Sequence, residues 1–175
     1  RLKHGLSDKK LIALLPGSRK MEIEKMLPVM MNVAKQNPLY EFVIAGAPSI
    51  SPEFYKSYSD NNIKVVFNCS YKLLMNAHTA LVTSGTATLE TALFRVPQVV
   101  CYKGNAISYQ IARKLVKVKY ISLVNLILDR PAVKELIQNE MNPTDLNQEF
   151  QKMVNETTER QEVLLLRLSL IRDVV

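Results

Sequence analysis

Three short stretches of this 175-residue chain bring together residue types that could hold a phosphorylated ligand. In the first, Gly17, Ser18 and Arg19 follow an apolar run and precede a segment opened by Glu22 and Glu24. A glycine lets backbone approach a ligand closely, a serine hydroxyl can donate, and the planar arginine fork matches a pyrophosphate or sugar oxygen. The same residues would also make an ordinary strand-to-helix turn, with Ser18 as the cap and Glu22 favoured by the helix dipole.

The second stretch is Ser84, Gly85 and Thr86, again between an apolar run and a helical pattern that carries Glu90. N–H groups at a helix start make an anion site, and Gly85 leaves room for a diphosphate to lie against them. Thr86 and Glu90 are one helical turn apart and should share a face. There a hydroxyl could bind phosphate while a carboxylate accepts from the two hydroxyls of a ribose. A capped helix with a solvated Glu90 is the alternative. No Gly-Lys-Ser/Thr follows, so the turn is not an ATP-binding P-loop.

The third stretch places Asn125 in an otherwise apolar run, with Glu135 and Gln138 further on. A buried asparagine needs partners, which makes a ligand or a tight turn its natural roles. Glu135 and Gln138, three apart in what reads as the start of a helix over 132–139, would share a face; a polar helix surface is the alternative. His4 and His78 stand apart and join no Cys/His cluster, so neither a metal site nor a cofactor is expected. Cys69 and Cys101 sit in or beside apolar runs, as reduced core residues do.

The elements that must position these stretches alternate strand and helix. Apolar runs at 11–15, 42–45, 64–67, 80–83 and 98–102 read as strands. Helical segments fall at about 21–36, from 51, from 70 and through 94, with Pro28 expected to kink the first or delay its start. From about residue 120 one more apolar run is followed by helices near 132–139, 142–153 and 155–173. Such alternation implies an α/β fold, a Rossmann-like parallel sheet with helices on both faces that binds ligands at the carboxyl ends of its strands.

The formal charge of +7 and 47% hydrophobic content fit a single globular domain that prefers anionic partners. Nucleic acid is disfavoured: there is no RNP-like aromatic pattern, zinc-finger spacing or Arg-rich arm. No apolar stretch reaches the roughly 18 to 20 residues that span a bilayer, and the first residues lack a signal-peptide core, which points to the cytoplasm. Arg113, Lys114, Lys117 and Lys119, with Ile111, Ala112 and Leu115 among them, form a basic amphipathic stretch suited to phosphates, lipid headgroups or plain solvent.

Taken in order, LLPGSRKMEIEKMLPVM, TSGTATLETALFRVPQVVCYK and LVKVKYISLVNLILDRPAVKELIQ resemble the carboxyl-terminal domain of bacterial lipid-A-disaccharide synthases, which are GT-B glycosyltransferases. The resemblance runs from about Leu11 to Gln138. It departs at Leu123-Val124-Asn125, where relatives commonly read Leu-Pro-Asn, and at Leu128-Asp129, where they commonly carry Ala-Gly. It implies the carboxyl-terminal half of a GT-B fold, with residues 1–175 as one nucleotide-sugar-binding domain and the amino-terminal domain, which supplies acceptor and general base, absent. It further implies transfer of 2,3-diacylglucosamine from UDP to 2,3-diacylglucosamine 1-phosphate with inversion, by an enzyme peripheral at the inner face of a Gram-negative cytoplasmic membrane, the isolated half being inactive. Gly17, Ser18, Arg19, Ser84, Gly85, Thr86, Glu90, Asn125, Glu135 and Gln138 would line the UDP site. Arg19 and the 84–86 turn would hold the diphosphate, and Glu90 or Glu135 the ribose. Another UDP-N-acetylglucosamine-dependent GT-B transferase, or a non-catalytic nucleotide-sugar-binding module, would satisfy the same motifs.

Overall fold

A computed structural model of the protein describes residues 5–58, 63–104 and 119–155. Its elements run β1 (Leu11–Leu15), α1 (Lys20–Gln36), β2 (Glu41–Gly46), α2 (Pro52–Lys56), β3 (Lys64–Phe67), α3 (Ser70–Asn76), β4 (Thr79–Thr83), α4 (Thr86–Leu93), β5 (Gln98–Tyr102), α5 (Leu123–Leu128), β6 (Lys134–Ile137) and α6 (Pro143–Asn155). The six strands form one sheet in the order β3-β2-β1-β4-β5-β6, and each neighbouring pair is parallel. This is the α/β sheet that the alternation of elements predicts.

The central strands β1 and β4 are buried along their whole length because both of their faces are covered. On one face Ile12, Leu14, Phe42, Ile44, Leu81, Val99, Cys101 and Leu136 pack with the buried stripe of α1 and with Leu146, Phe150 and Met153 of α6. On the other, Leu11, Ala13, Val43, Ala80 and Val82 meet Leu73 and Leu74 of α3. Beside them Val100 and Val133 meet Ala92 of α4 and Val124 of α5.

In α1 the buried residues Ile23, Met26, Leu27, Met30, Val33 and Ala34 recur at helical spacing. Pro28 lies inside that helix, which begins at Lys20, so the expected late start is not found. Pro28 is exposed, where the carbonyl that loses its partner faces water.

The region after residue 120 differs from the sequence reading. The apolar run there is the helix α5, and the expected helix over 132–139 is the strand β6 followed by a single 3₁₀ turn, Gln138–Glu140. Lys134 and Glu135 favour helices, but pairing of β6 with β5, Val99 to Lys134 through Tyr102 to Ile137, overrides that preference. Glu135 and Gln138 therefore do not share a helix face. The helix expected at 142–153 is α6, while the helix expected at 155–173 and the basic stretch through Lys117 lie outside the described residues.

Candidate functional site at the carboxyl edge of the sheet

The strand order reverses between β1 and β4, which are neighbours although β2 and β3 intervene in sequence. The chain leaves β1 for α1 on one face of the sheet and leaves β4 for α4 on the other. Diverging connections open a crevice at the carboxyl ends of such strands. The two turns singled out by residue type flank it: 17–19 follows β1 and 84–86 follows β4.

At the first turn Gly17 has φ +120°, and a side chain there would run into Glu22, whose Oε2 would lie 2.8 Å from the added Cβ. Glycine is needed for both reasons. Ser18 does not cap α1. Arg19 stands at the N-cap, and Glu22 reaches back to accept from the amides of Ser18 (3.2 Å) and Arg19 (3.3 Å). Glu22 thus ties the turn to the first turn of α1, and the Ser18 side chain stays exposed. The Arg19 guanidinium lies 3.6 Å from Glu22, but its side chain is 84% exposed, so the pair holds it loosely. Ser49, after β2, donates to the Ser18 carbonyl at 3.2 Å and ties a third connection to this edge.

At the second turn Gly85 is the N-cap of α4 with φ +149°. Among the described residues a Cβ added there would meet nothing within 4 Å. The first N–H groups of a helix lack i−4 partners within it; in α4 that of Thr88 donates to the Gly85 carbonyl at 3.1 Å, which leaves those of Thr86 and Ala87 as the candidate donors to a ligand. Thr86 is exposed, and Glu90 lies one turn behind it, half-buried. Among the described residues Glu90 makes no side-chain hydrogen bond or ion pair, leaving both carboxylate oxygens available. Ser84 is otherwise engaged: its hydroxyl donates to the Ile121 carbonyl at 2.8 Å. A hydroxyl has one proton, so Ser84 can only accept from anything else.

The third stretch forms an internal network. Glu135 accepts from the amides of Ile121 (3.0 Å) and Ser122 (2.9 Å), from the Ser122 hydroxyl (2.7 Å) and from the Asn125 amide group (2.8 Å). Asn125, 1% exposed, also exchanges two hydrogen bonds with the backbone of Val133, at 2.8 and 2.9 Å. Ser122 caps α5 by accepting from the Asn125 amide N–H at 3.2 Å. Ser122 heads the third stretch but drew no role of its own from sequence, although a serine just before an apolar helical run is a readable N-cap signal. A hollow of about 370 Å³ beside this network is lined by Tyr120, Asn125, Val133, Glu135, Ile137 and Glu149, among others.

Gln138 follows β6 in a left-handed conformation, φ +55°. Its side-chain nitrogen is buried without a hydrogen-bond partner, as is the hydroxyl of Thr83 at the end of β4. These two stand at the carboxyl ends of their strands; a third such atom, Gln98 Oε1, lies at the amino end of β5. Of the ten expected site residues, the structure thus brings Gly17, Ser18, Arg19, Ser84, Gly85, Thr86 and Glu90 to the β1/β4 crevice. Asn125, Glu135 and Gln138 lie toward the β6 edge, joined to the crevice through Ile121 and Ser84.

Among the described residues no group of three or more His, Cys, Asp or Glu side chains is arranged to hold a metal, and no helix is long and apolar enough to cross a membrane. His78 lies just before β4, where its amide donates to the Leu11 carbonyl.

Solved structures with the same fold include the calicheamicin glycosyltransferase CalG4, with a TM-score of 0.64 and 12% identity over 96% of this chain and 40% of that one. The spinosyn rhamnosyltransferase SpnG, solved with thymidine diphosphate, has a TM-score of 0.65 and 15% identity over 92% of this chain and 41% of its own. At such identities the likeness is one of fold alone. In sequence, the lipid-A-disaccharide synthase of Coxiella burnetii is 34% identical over 161 residues, 90% of this chain and 43% of the relative. That of Psychromonas ingrahamii is 40% identical over 141 residues, 75% of this chain and 37% of its own length. The chain therefore spans about two fifths of the curated relatives it matches. Residues 2–171 match the lipid-A-disaccharide synthetase family, and the chain belongs to that family.

Proposed function

We propose that this chain is the donor-binding domain of a glycosyltransferase and holds the UDP portion of UDP-2,3-diacylglucosamine in the β1/β4 crevice. The observation that carries the reading is the open turn at Gly85, with Glu90 one helical turn behind it. The diphosphate lies against the first N–H groups of α4, opposite Gly17, Ser18 and Arg19. The ribose hydroxyls donate to Glu90, whose oxygens have no other partner among the described residues, and this favours Glu90 over Glu135 for that role. Gln138 offers a buried donor toward the β6 edge.

In the full-length enzyme the sugar passes to 2,3-diacylglucosamine 1-phosphate with inversion, and a separate domain supplies the acceptor site and the general base. Fixed N–H dipoles and Arg19 stabilise the negative charge on departing UDP. The lipid substrates set the enzyme at the inner face of the cytoplasmic membrane. Without the other domain the chain binds UDP but does not turn over.

Calorimetric titration with UDP, with ADP and inorganic phosphate as controls, tests the reading. UDP-selective binding is the expected outcome. Equal binding of UDP and ADP would remove the uridine assignment. If neither the chain nor a protein of its relatives' full length bound UDP, the donor-site reading would fall.

A further inference from the structure

We infer that Glu135 is a positioning residue for the phosphate turn, an inference that rests on the nucleotide reading above. Its carboxylate accepts from Ile121, Ser122 and Asn125 through four hydrogen bonds, three to Oε1 and one to Oε2. Two carboxylate oxygens offer about four lone-pair sites, so little capacity remains for a ligand hydroxyl. What Glu135 does instead follows from where those donors lead. It fixes the backbone at residues 121 and 122, and the carbonyl of that same Ile121 accepts a hydrogen bond from the Ser84 hydroxyl, at 2.8 Å. Ser84 precedes Gly85, the N-cap of α4. A chain of charge-assisted and neutral hydrogen bonds therefore runs from the edge strand β6 across the 121–122 segment to the turn.

Gly85 needs this support. Its φ of +149° is one that glycine adopts freely; its carbonyl accepts from the amide (3.1 Å) and hydroxyl (2.7 Å) of Thr88 on the helix side, but among the described residues nothing lies within 4 Å of where a Cβ would stand. A turn built from small residues over open space keeps its N–H groups aimed only if its flanks are held. Asn125 strengthens the hold from the other side by locking onto the Val133 backbone and onto Glu135 together. Loss of the carboxylate leaves three amide or hydroxyl donors of the 121–122 segment unpaired and frees the Ile121 carbonyl that orders Ser84.

Positioning and direct ribose contact separate by a probe that has no ribose. Affinity for UDP and for inorganic pyrophosphate is measured in the wild type, in Glu135→Gln, in Ser84→Ala and in the double variant, on a protein of the relatives' full length. Glu135→Gln is expected to weaken both probes by a similar factor, about tenfold. The double variant is expected to be little weaker than either single one, because both changes cut the same chain. Ser122→Ala, which removes a single hydroxyl, is expected to shift both probes in the same direction by less, and serves where Glu135→Gln does not fold. Weakened UDP with unchanged pyrophosphate would overturn the inference and put Glu135 on the ribose. Fully additive losses, or no loss, would overturn it as well. A wild type that binds neither probe would sink the nucleotide reading and this inference with it, a result distinct from binding that Glu135→Gln leaves intact.

Discussion

Arg19 and Glu90 are the charged side chains at the two crevice turns, and neither is tied into the core. Among the described residues the exposed Arg19 side chain pairs only with Glu22, and Glu90 has no side-chain partner. If each makes a charge-assisted hydrogen bond to UDP, Arg19→Ala or Glu90→Ala should cost about 1.5 to 3 kcal/mol of binding, read by titration, with little change in thermal stability. Unchanged affinity in a folded variant would take that residue out of the site. Asp129 is a residue-scale strain of a different kind. It closes α5 at φ +47° and ψ +35°, the left-handed conformation that glycine adopts without cost. Its ion pair with Lys119 is exposed on both sides and offsets little. Asp129→Gly should therefore raise the unfolding free energy by about 0.5 kcal/mol in urea melts, and a loss of stability would count against the strain.

The elements that matter most are the short ones near the β6 edge. α5 has only six residues and β6 four, too few for either to hold its place by local preference alone. Asn125 joins them by giving the buried Val133 N–H and C=O the partners that an edge strand lacks. Asn125→Ala should destabilise the domain by about 2 to 4 kcal/mol, since it leaves buried backbone groups and part of the Glu135 carboxylate unpaired. Hydrogen exchange should show the loss first in β6 and α5, and a uniform loss across the sheet would contradict this account. The helices α1 and α6 are joined in a similar way: Asn37, buried between them, donates to Asn147 and accepts from Gln151.

For the whole molecule, two covered faces leave Cys101 fully inside the sheet, where burial pushes its thiol far above the ordinary cysteine range. The native thiol stays protonated while the unfolded one ionises above about pH 9, so the unfolded state then binds fewer protons. Stability is therefore full below that pH and falls above it, by up to about 1.4 kcal/mol per pH unit from this one group. Cys101→Ala should be less stable at neutral pH yet lose less between pH 9 and 10, as denaturant midpoints would show. An equal alkaline loss in both proteins would place the effect on other groups. In the same medium Cys69, partly exposed, should react with a thiol reagent long before Cys101 does.

Patterning along the chain determined the parallel sheet, five of its six strands and the two turns that flank the crevice, because both-face burial and small-residue turns leave marks within a few residues of one another. It misjudged the stretch from 120 to 139. There the helix-favouring Lys134 and Glu135 form a strand only because β5 offers them an edge, and that pairing joins residues more than thirty apart. Side-chain commitments were likewise beyond the sequence. Glu90 and Glu135 are the same residue type with the same expected partner, yet among the described residues tertiary structure leaves one carboxylate unpartnered and gives the other four donors. Which acceptors remain free for a ligand is settled by what the fold itself has already bound.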